Sequence, residues 1–434
     1  MTEKRKVIIE LRHQEAFETA KGAGLGAVTL DLDHAFHPVV VDSGHHQTDG
    51  TAHVARGEVH HEEAEALEEH PDVVGVWDDA PIVLFSAELE ADTHLPDGVT
   101  LPPRPYDNDF RKAEGTLAGA ADFIGANEVW AEGVTGKGVT VADVGGGMTA
   151  VGRTINQRDL DNPMWPLAQI PQVTGGWPIA DWGTTGATYH WHGNVMATGF
   201  LGVAPDAEIY DLRIVDDGGP NTMRGMISDA LAAFRWAIDS HRATGKPQIL
   251  NNSWGIVQLA SAPVYARDPN HPFTRKVKMA VDSGLIVLFA AGNCGAFGTE
   301  RGCDPFGPGN SIWGANGAPD VMTVAAANPK GQYIGYGGQG PAALAPHKPD
   351  FCGMSHYSGY MPVDFGTSSA CATASGAAAL LLSACPGASQ AQIKQAICET
   401  ASQIGGGPWN DGSGHGIIQI PAALSRLRQL TRAA

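Results

Sequence analysis

Gly366-Thr367-Ser368-Ser369-Ala370 stands at the mouth of a run of small apolar residues, Ala370 to Ala384. A buried helix beginning there would surround the Ser368 hydroxyl with free backbone N–H groups and the positive end of the helix dipole. That setting suits a nucleophile whose attack builds negative charge on a neighbouring oxygen. It suits equally a serine or threonine that caps a core helix, and the run alone leaves both readings open. Three other segments carry chemistry in a fixed chain order. Gly138 to Gly147 reads as a strand that holds Asp143 and ends in a glycine turn. His192-Gly193-Asn194-Val195-Met196-Ala197 opens a helix, and Ala290-Ala291-Gly292-Asn293 ends an apolar strand.

Taken in this order, residues 126–425 resemble the subtilisin-like serine proteases, the subtilases. Asn251-Asn252-Ser253-Trp254-Gly255, Gly340-Pro341 and Lys348-Pro349-Asp350 belong to the same likeness. The resemblance implies a serine endopeptidase working through an acyl-enzyme on a protein or peptide substrate. A variant in which an amine resolves the acyl-enzyme is equally compatible. Ser368 would be the nucleophile, and His192 would take its proton and later protonate the leaving amine. The Asn293 amide and the Ser368 backbone N–H would stabilise the oxyanion. Ser253, Trp254 and Gly255 would pair with an extended substrate as an added strand. Each residue has a plainer alternative: Asn293 as a turn residue, Trp254 as core, and His190 as the local competitor of His192. No cofactor is required and no metal ligands are assigned. Structural Ca²⁺ enters only through the resemblance, since no calcium-loop pattern stands out.

The departure from the family pattern lies at Gly145, where the triad acid is expected. In subtilisin, loss of that acid alone costs ~3 × 10⁴ in turnover. Asp143 lies two residues earlier, and positions two apart in a strand share a face. Its carboxylate is therefore expected on the correct side but set back by roughly 7 Å. A bulge at the three glycines, or a bridging water, would close the gap. A buried structural acid or a loop-anchoring hydrogen bond is the competing role for Asp143; Asp181 is a weaker candidate, and Asp159 and Asp161, from the following loop, look like a surface motif of the fold. Two functional readings follow: an active peptidase, or a catalytically impaired pseudoprotease that binds peptides or a partner.

The elements that must position these residues alternate between strand and helix from about residue 126. Strands are expected at Val139 to Val144, Ala207 to Ile214, Gln248 to Asn252, Leu285 to Ala290 and Val321 to Ala326. Helices are expected at His192 to Phe200, Met223 to Ser240, Thr274 to Ser283, Ala370 to Ala384 and Gln390 to Ala401. The fold class is α/β: a three-layer α/β/α domain with a mostly parallel sheet over residues 126–434. Before it, residues 1–94 read as a small α+β (ferredoxin-like) unit and residues 95–125 as a linker. In the smaller unit, strands are expected at Lys6 to Leu11, Ala27 to Leu32, Pro38 to Val41, Val73 to Val76 and Ile82 to Phe85. Helices are expected there at Glu15 to Lys21 and Glu62 to Glu69. The resemblance makes this unit a propeptide that inhibits the larger domain.

Charge marks the same division. The chain has 434 residues and a net charge of −19. Residues 1–110 hold 23 acids against 7 Lys and Arg, a net of −16, and 10 of the 17 histidines. The acidic balance argues against nucleic-acid binding. The longest apolar run, Ala377 to Ala384, is too short to span a bilayer. No signal-peptide pattern follows Met1, so the expected location is cytoplasmic, or secreted if a signal sequence has been trimmed. The six cysteines lack zinc-type spacing. They are expected as buried thiols, with Cys294 and Cys303 able to pair under oxidising conditions.

Overall fold

The computed structural model describes residues 4–23, 25, 28, 30–42, 50–85, 106–107, 109, 111–150, 170–178, 191–217, 223–296 and 302–432. The N-terminal unit runs β1 (Lys4–Leu11), α1 (Gln14–Ala23), β2 (Leu30–Leu32), β3 (Val39–Asp42), β4 (Thr51–His60), α2 (Ala64–Glu68), β5 (Val73–Asp78) and β6 (Pro81–Leu84). Its sheet has the order β2-β4-β1-β5, with β3 also on β4, and every pairing is antiparallel. Successive side chains of a strand point to opposite faces, and β1 is apolar on both. Val7, Ile9 and Leu11 pack under the unit's own helices with Phe17 and Leu67. Ile8 turns the other way, with Val39, Val41, Ala52 and Val54, into the core of the larger domain.

The larger domain contains β7 (Tyr106–Asp107), α3 (Leu117–Phe123), α4 (Ala126–Ala131), β8 (Thr140–Gly145), β9 (Val173–Trp177), α5 (Trp191–Val203), β10 (Glu208–Arg213), β11 (Asp216–Asp217), β12 (Met223–Met226) and α6 (Ile227–Thr244). It continues with β13 (Ile249–Asn252), β14 (Trp254–Gly255), α7 (Pro263–Arg267), α8 (Pro272–Asp282), β15 (Ile286–Ala290), β16 (Met322–Ala327), β17 (Tyr333–Ile334), β18 (Phe351–Met354), α9 (Gly366–Ala384), α10 (Gln390–Thr400) and α11 (Ile420–Arg432). The sheet order is β7-β17-β16-β15-β13-β8-β10-β9, with β18 also on β16. All its pairings are parallel except β16–β17. Alternation again divides the layers. Val141, Ile249 and Leu288 face α5 and α9, whereas Ala142, Leu250 and Phe289 face α6 and α8. Among the described residues no helix is long and apolar enough to cross a membrane.

The five strands expected for the sheet core are present, each within a residue or two of its expected ends. Three expectations change. Met223 to Met226 form a strand rather than the start of a helix, because they pair between β11 and β6 in a second, small sheet. The expected linker 95–125 contains α3, whose Ala120 and Ala121 enter the main core with Ile124; residues 95–105 lie outside the described residues. Cys294 and Cys303 form a disulfide rather than two thiols, with their Cα atoms 5.6 Å apart. That separation lies within the usual bridging range. Cys352, Cys371, Cys385 and Cys398 are unpaired thiols.

Candidate active site

The helix carrying Ser368 begins four residues earlier than the apolar run implies, at Gly366. Gly366 has φ +77°, and a Cβ there would stand 3.0 Å from Asn293 Nδ2, so glycine permits both the turn and the close approach. Thr367 donates from its backbone N and its hydroxyl to Asn293 Oδ1, at 2.9 and 3.1 Å. The Gly292 N–H in turn donates to Thr367 Oγ1 at 3.1 Å. These bonds fix which end of the Asn293 amide carries the oxygen and turn its Nδ2 toward Ser368. His192 is the second residue of α5, and its Nε2 lies 3.1 Å from Ser368 Oγ. Close packing at Gly193 allows this approach, since a Cβ there would collide with the Gly147 carbonyl. Burial pushes the His192 pKa down to about 4, so the imidazole is neutral near neutral pH and fit to accept a proton.

Asp143 lies on the expected face, fully buried. Its Oδ1 accepts from Asn251 Nδ2 at 2.9 Å, while its Oδ2 has no hydrogen-bond partner among the described residues. The carboxylate is set back less than expected. It reaches forward, so that Oδ2 lies 2.8 Å from where a Cβ of residue 145 would stand. Asp211 is its register partner on the neighbouring strand and accepts from the Met148 N–H at 3.1 Å. Burial first, and then the Asp211 charge, push the Asp143 pKa up to about 8 despite the Asn251 hydrogen bond. Near neutral pH Asp143 is therefore mostly protonated. Asp159, Asp161, Asp181 and His190 lie outside the described residues.

The cleft is filled by the chain itself. Strand β6 enters between β12 and β14, antiparallel to both. Leu84 is paired with Trp254 and Val83 with Gly255, and the Phe85 N–H donates to the Ser253 carbonyl at 3.0 Å. The backbones of Ser253, Trp254 and Gly255 thus hold an extended segment of the chain itself. The Trp254 side chain is core, packed on Phe273 and Phe289. The Phe85 ring fills a pocket made by small residues: a Cβ at Gly255 would stand 2.6 Å from its Cζ, and one at Gly292 3.5 Å. The Phe85 carbonyl oxygen lies 2.9 Å from Ser368 Oγ and 3.4 Å from Asn293 Nδ2. Beyond it, Trp191, Met361, Val363 and Phe365 line a largely apolar recess next to Ser368 and His192.

The rest of the N-terminal unit is clamped to α6 and α8. Asp79 accepts from the Ser228 backbone N and hydroxyl at 2.9 and 2.7 Å, at the first turn of α6 where such donors lack helical partners. Arg56 bridges Asp33 and Asp229, each at 2.6 Å. Glu10, 1 % exposed, pairs with Arg275 at 2.6 Å, and Lys276 donates to the Val40 carbonyl at 3.0 Å. Of these contacts, Glu10–Arg275 sets an acid of the first segment against a base of the larger domain, and Arg56–Asp229 runs the other way.

Sequence reasoning brought Ser368, His192, Asn293 and the Ser253-to-Gly255 backbone to one place, and the structure joins them. It placed Asp143 on the right face but too far back. It missed Phe85 as occupant of the cleft, Thr367 as the clamp on Asn293, and Asn251 as the partner of Asp143. Phe85 had one legible signal, as the last residue of an expected strand just before the acidic segment that follows.

A family model described as the subtilase family matches residues 172–416, more than half of the chain. The match contains His192, Asn293 and Ser368 and begins after Asp143 and Gly145. The chain is 26% identical over 314 residues to subtilisin DY of Bacillus licheniformis, covering 69% of this chain and 96% of that protein. It is 27% identical over 310 residues to subtilisin E of Bacillus subtilis, covering 69% of each. The solved structure of fervidolysin from Fervidobacterium pennivorans, described as a keratinolytic enzyme related to subtilisin, superposes with a TM-score of 0.59 at 17% identity. That superposition covers 98% of this chain, which spans 61% of fervidolysin.

Proposed function

Since the chain belongs to the subtilase family, we propose that it is a serine endopeptidase with a Ser368–His192 catalytic pair, held inactive by residues 1–85. The supporting observation is the Phe85 carbonyl, within hydrogen-bonding distance of both Ser368 Oγ and Asn293 Nδ2. Ser368 Oγ attacks such a carbonyl carbon while neutral His192 takes the hydroxyl proton on Nε2. Charge moves to the carbonyl oxygen, which the Asn293 amide and the Ser368 N–H receive. The carbonyl carbon then releases its amine, protonated by the imidazolium, and water or a second amine resolves the ester.

In this reading the N-terminal unit is a ferredoxin-like propeptide and β6 is its inhibitory strand. Phe85 lies in the pocket for the residue before the scissile bond, so the bond for maturation is Phe85–Ser86. The same pocket favours substrates with a large aromatic or apolar residue there. Asp143 is the candidate for the displaced acid, because its Oδ2 stands in the space left by Gly145 with no hydrogen-bond partner among the described residues. Structural Ca²⁺ keeps its origin in the resemblance, with no residues of this chain assigned to it.

The competing reading is a peptide-binding pseudoprotease, favoured by Gly145 and by the protonated state of Asp143 near neutral pH. A serine-directed fluorophosphonate separates the two. The proposal expects a covalent adduct at Ser368 that is lost in His192→Ala. Absence of labelling, both in the full chain and after removal of residues 1–85, would establish the binder.

A further inference from the structure

Against the nucleophile turn, bonded to the Gly366 N–H, lies a second carboxylate–imidazole–hydroxyl chain that the peptidase reading does not use. His356 is fully buried. Its Nδ1 lies 2.7 Å from Asp107 Oδ2, and its Nε2 lies 2.6 Å from the Tyr336 hydroxyl. The Gly366 N–H donates to that hydroxyl at 3.0 Å. With the ring proton on Nδ1 donated to Asp107, Nε2 accepts from the Tyr336 hydroxyl, whose oxygen accepts from Gly366. Burial pushes the Asp107 pKa up, but the hydrogen bonds from His356, the Asp109 N–H and Asn328 outweigh it and hold the carboxyl ionised.

The chain is anchored where it needs to be rigid. His356 has φ 55°, the one positive φ of a non-glycine residue among the described residues. Its carbonyl is held by the Glu114 N–H at 2.7 Å. Such a conformation persists when its surroundings over-determine it, and it is common at functional sites. Tyr336 also reaches the other arm of the site, since its backbone carbonyl accepts from the Gly295 N–H at 2.9 Å, two residues past Asn293. One residue therefore ties the Asn293 loop to the turn that begins at Gly366.

We propose that Asp107, His356 and Tyr336 are positioning residues that hold the Gly366–Ser368 turn and the Asn293 loop in register, so that the two oxyanion donors converge. This rests on the peptidase reading for its catalytic consequence, but not for the ordering of the turn. Asp107 lies after the Phe85–Ser86 bond and stays with the matured enzyme.

Tyr336→Phe, introduced in the full chain and assayed for peptide turnover after cleavage at Phe85–Ser86, removes the hydroxyl alone. Turnover of an aromatic-containing peptide should fall by about tenfold in kcat with KM changed less than twofold, short of the ~10²–10³ lost with an oxyanion donor itself. In an Asn293→Ala background the same substitution should cost less than twofold, because the second donor is no longer there to be aligned. Hydrogen exchange at the Gly366 amide should speed up in Tyr336→Phe while exchange in the sheet stays as in the wild type. Unchanged exchange at Gly366 would overturn the proposal whether or not the chain turns over peptide. So would an unchanged kcat in a wild type that is active, or a kcat loss undiminished in Asn293→Ala. A wild type that neither hydrolyses peptide nor takes fluorophosphonate, both intact and after removal of residues 1–85, would instead sink the peptidase reading, with the exchange result still deciding the role of Tyr336 in the turn.

Discussion

The Asp143 carboxylate occupies the space that a side chain at Gly145 would need, with Oδ2 2.8 Å from the position of the missing Cβ. The two positions are therefore coupled: glycine at 145 is what lets Asp143 reach forward. Simple restoration of the family's acid should fail. Gly145→Asp alone forces two buried carboxyls together, and overpacking of this kind costs about 1–3 kcal/mol. Gly145→Asp combined with Asp143→Ala relieves the overlap. Fluorophosphonate labelling should rise at least about tenfold in the double variant, well within the ~3 × 10⁴ that the acid contributes in subtilisin, and should not rise in the single one. A faster single variant with unchanged Tm would show that the space is free.

Asp143 also makes a pH prediction. Its folded pKa of about 8 stands above the ordinary 3.8, so between these values the folded state holds a proton that the unfolded chain releases. Its contribution is full below about pH 4 and is lost as pH rises through 8. Asp143→Asn keeps an acceptor for Asn251 and removes that slope. Measured on Ser368→Ala proteins, the variant should gain Tm relative to its parent between pH 5 and pH 8. In the active chain, kcat/KM should climb near pH 8 as the carboxylate ionises and supports the imidazolium, and the Asp143→Asn protein should lack the climb. Parallel profiles would remove Asp143 from the mechanism.

The Phe85 pocket depends on Gly255. In Gly255→Val the new Cβ would stand 2.6 Å from the ring and close the pocket. A peptide series with Phe, Leu or Ala before the cleaved bond should lose its preference for Phe by roughly ten- to a hundredfold, consistent with about 1–3 kcal/mol for pocket discrimination. An unchanged preference would place the specificity elsewhere.

Asp79 reports on the inhibitory grip. Its two bonds to Ser228 satisfy donors at the start of α6, and loss of such a cap costs about 0.5–2 kcal/mol. Inhibition of matured enzyme by added residues 1–85 should weaken by roughly three- to thirtyfold in Asp79→Ala. An equal inhibition constant would mean that the β6 contacts alone carry the inhibition.

Much of this site was legible in the sequence because its parts are local. Asp143 shares a strand face with Gly145, and the split of Val141 and Ala142 between two cores bears out that reasoning. Ser368, His192 and Asn293 each sit at the end of a strongly apolar element. The parts that escaped depend on contacts between distant segments. Phe85 and Ser368 are 283 positions apart, and nothing in a strand pattern says which cleft it enters. Strand β4 was missed because His53, Arg56 and Glu58 interrupt its apolar positions; docking explains Arg56, which serves Asp229 and Asp33. The start of α9 was read late because glycine, threonine and serine are weak helix formers, while Tyr336 and Asn293 hold this turn through tertiary bonds.

The central claim is that Ser368 acts on the carbonyl placed against it. Intact mass and N-terminal sequencing of the purified chain test it directly. The wild type should separate into residues 1–85 and a segment beginning at Ser86, and a Ser368→Ala chain should stay whole under the same conditions. A wild type that remains uncut at Phe85–Ser86, or a Ser368→Ala chain that is cut there at the same rate, would contradict it.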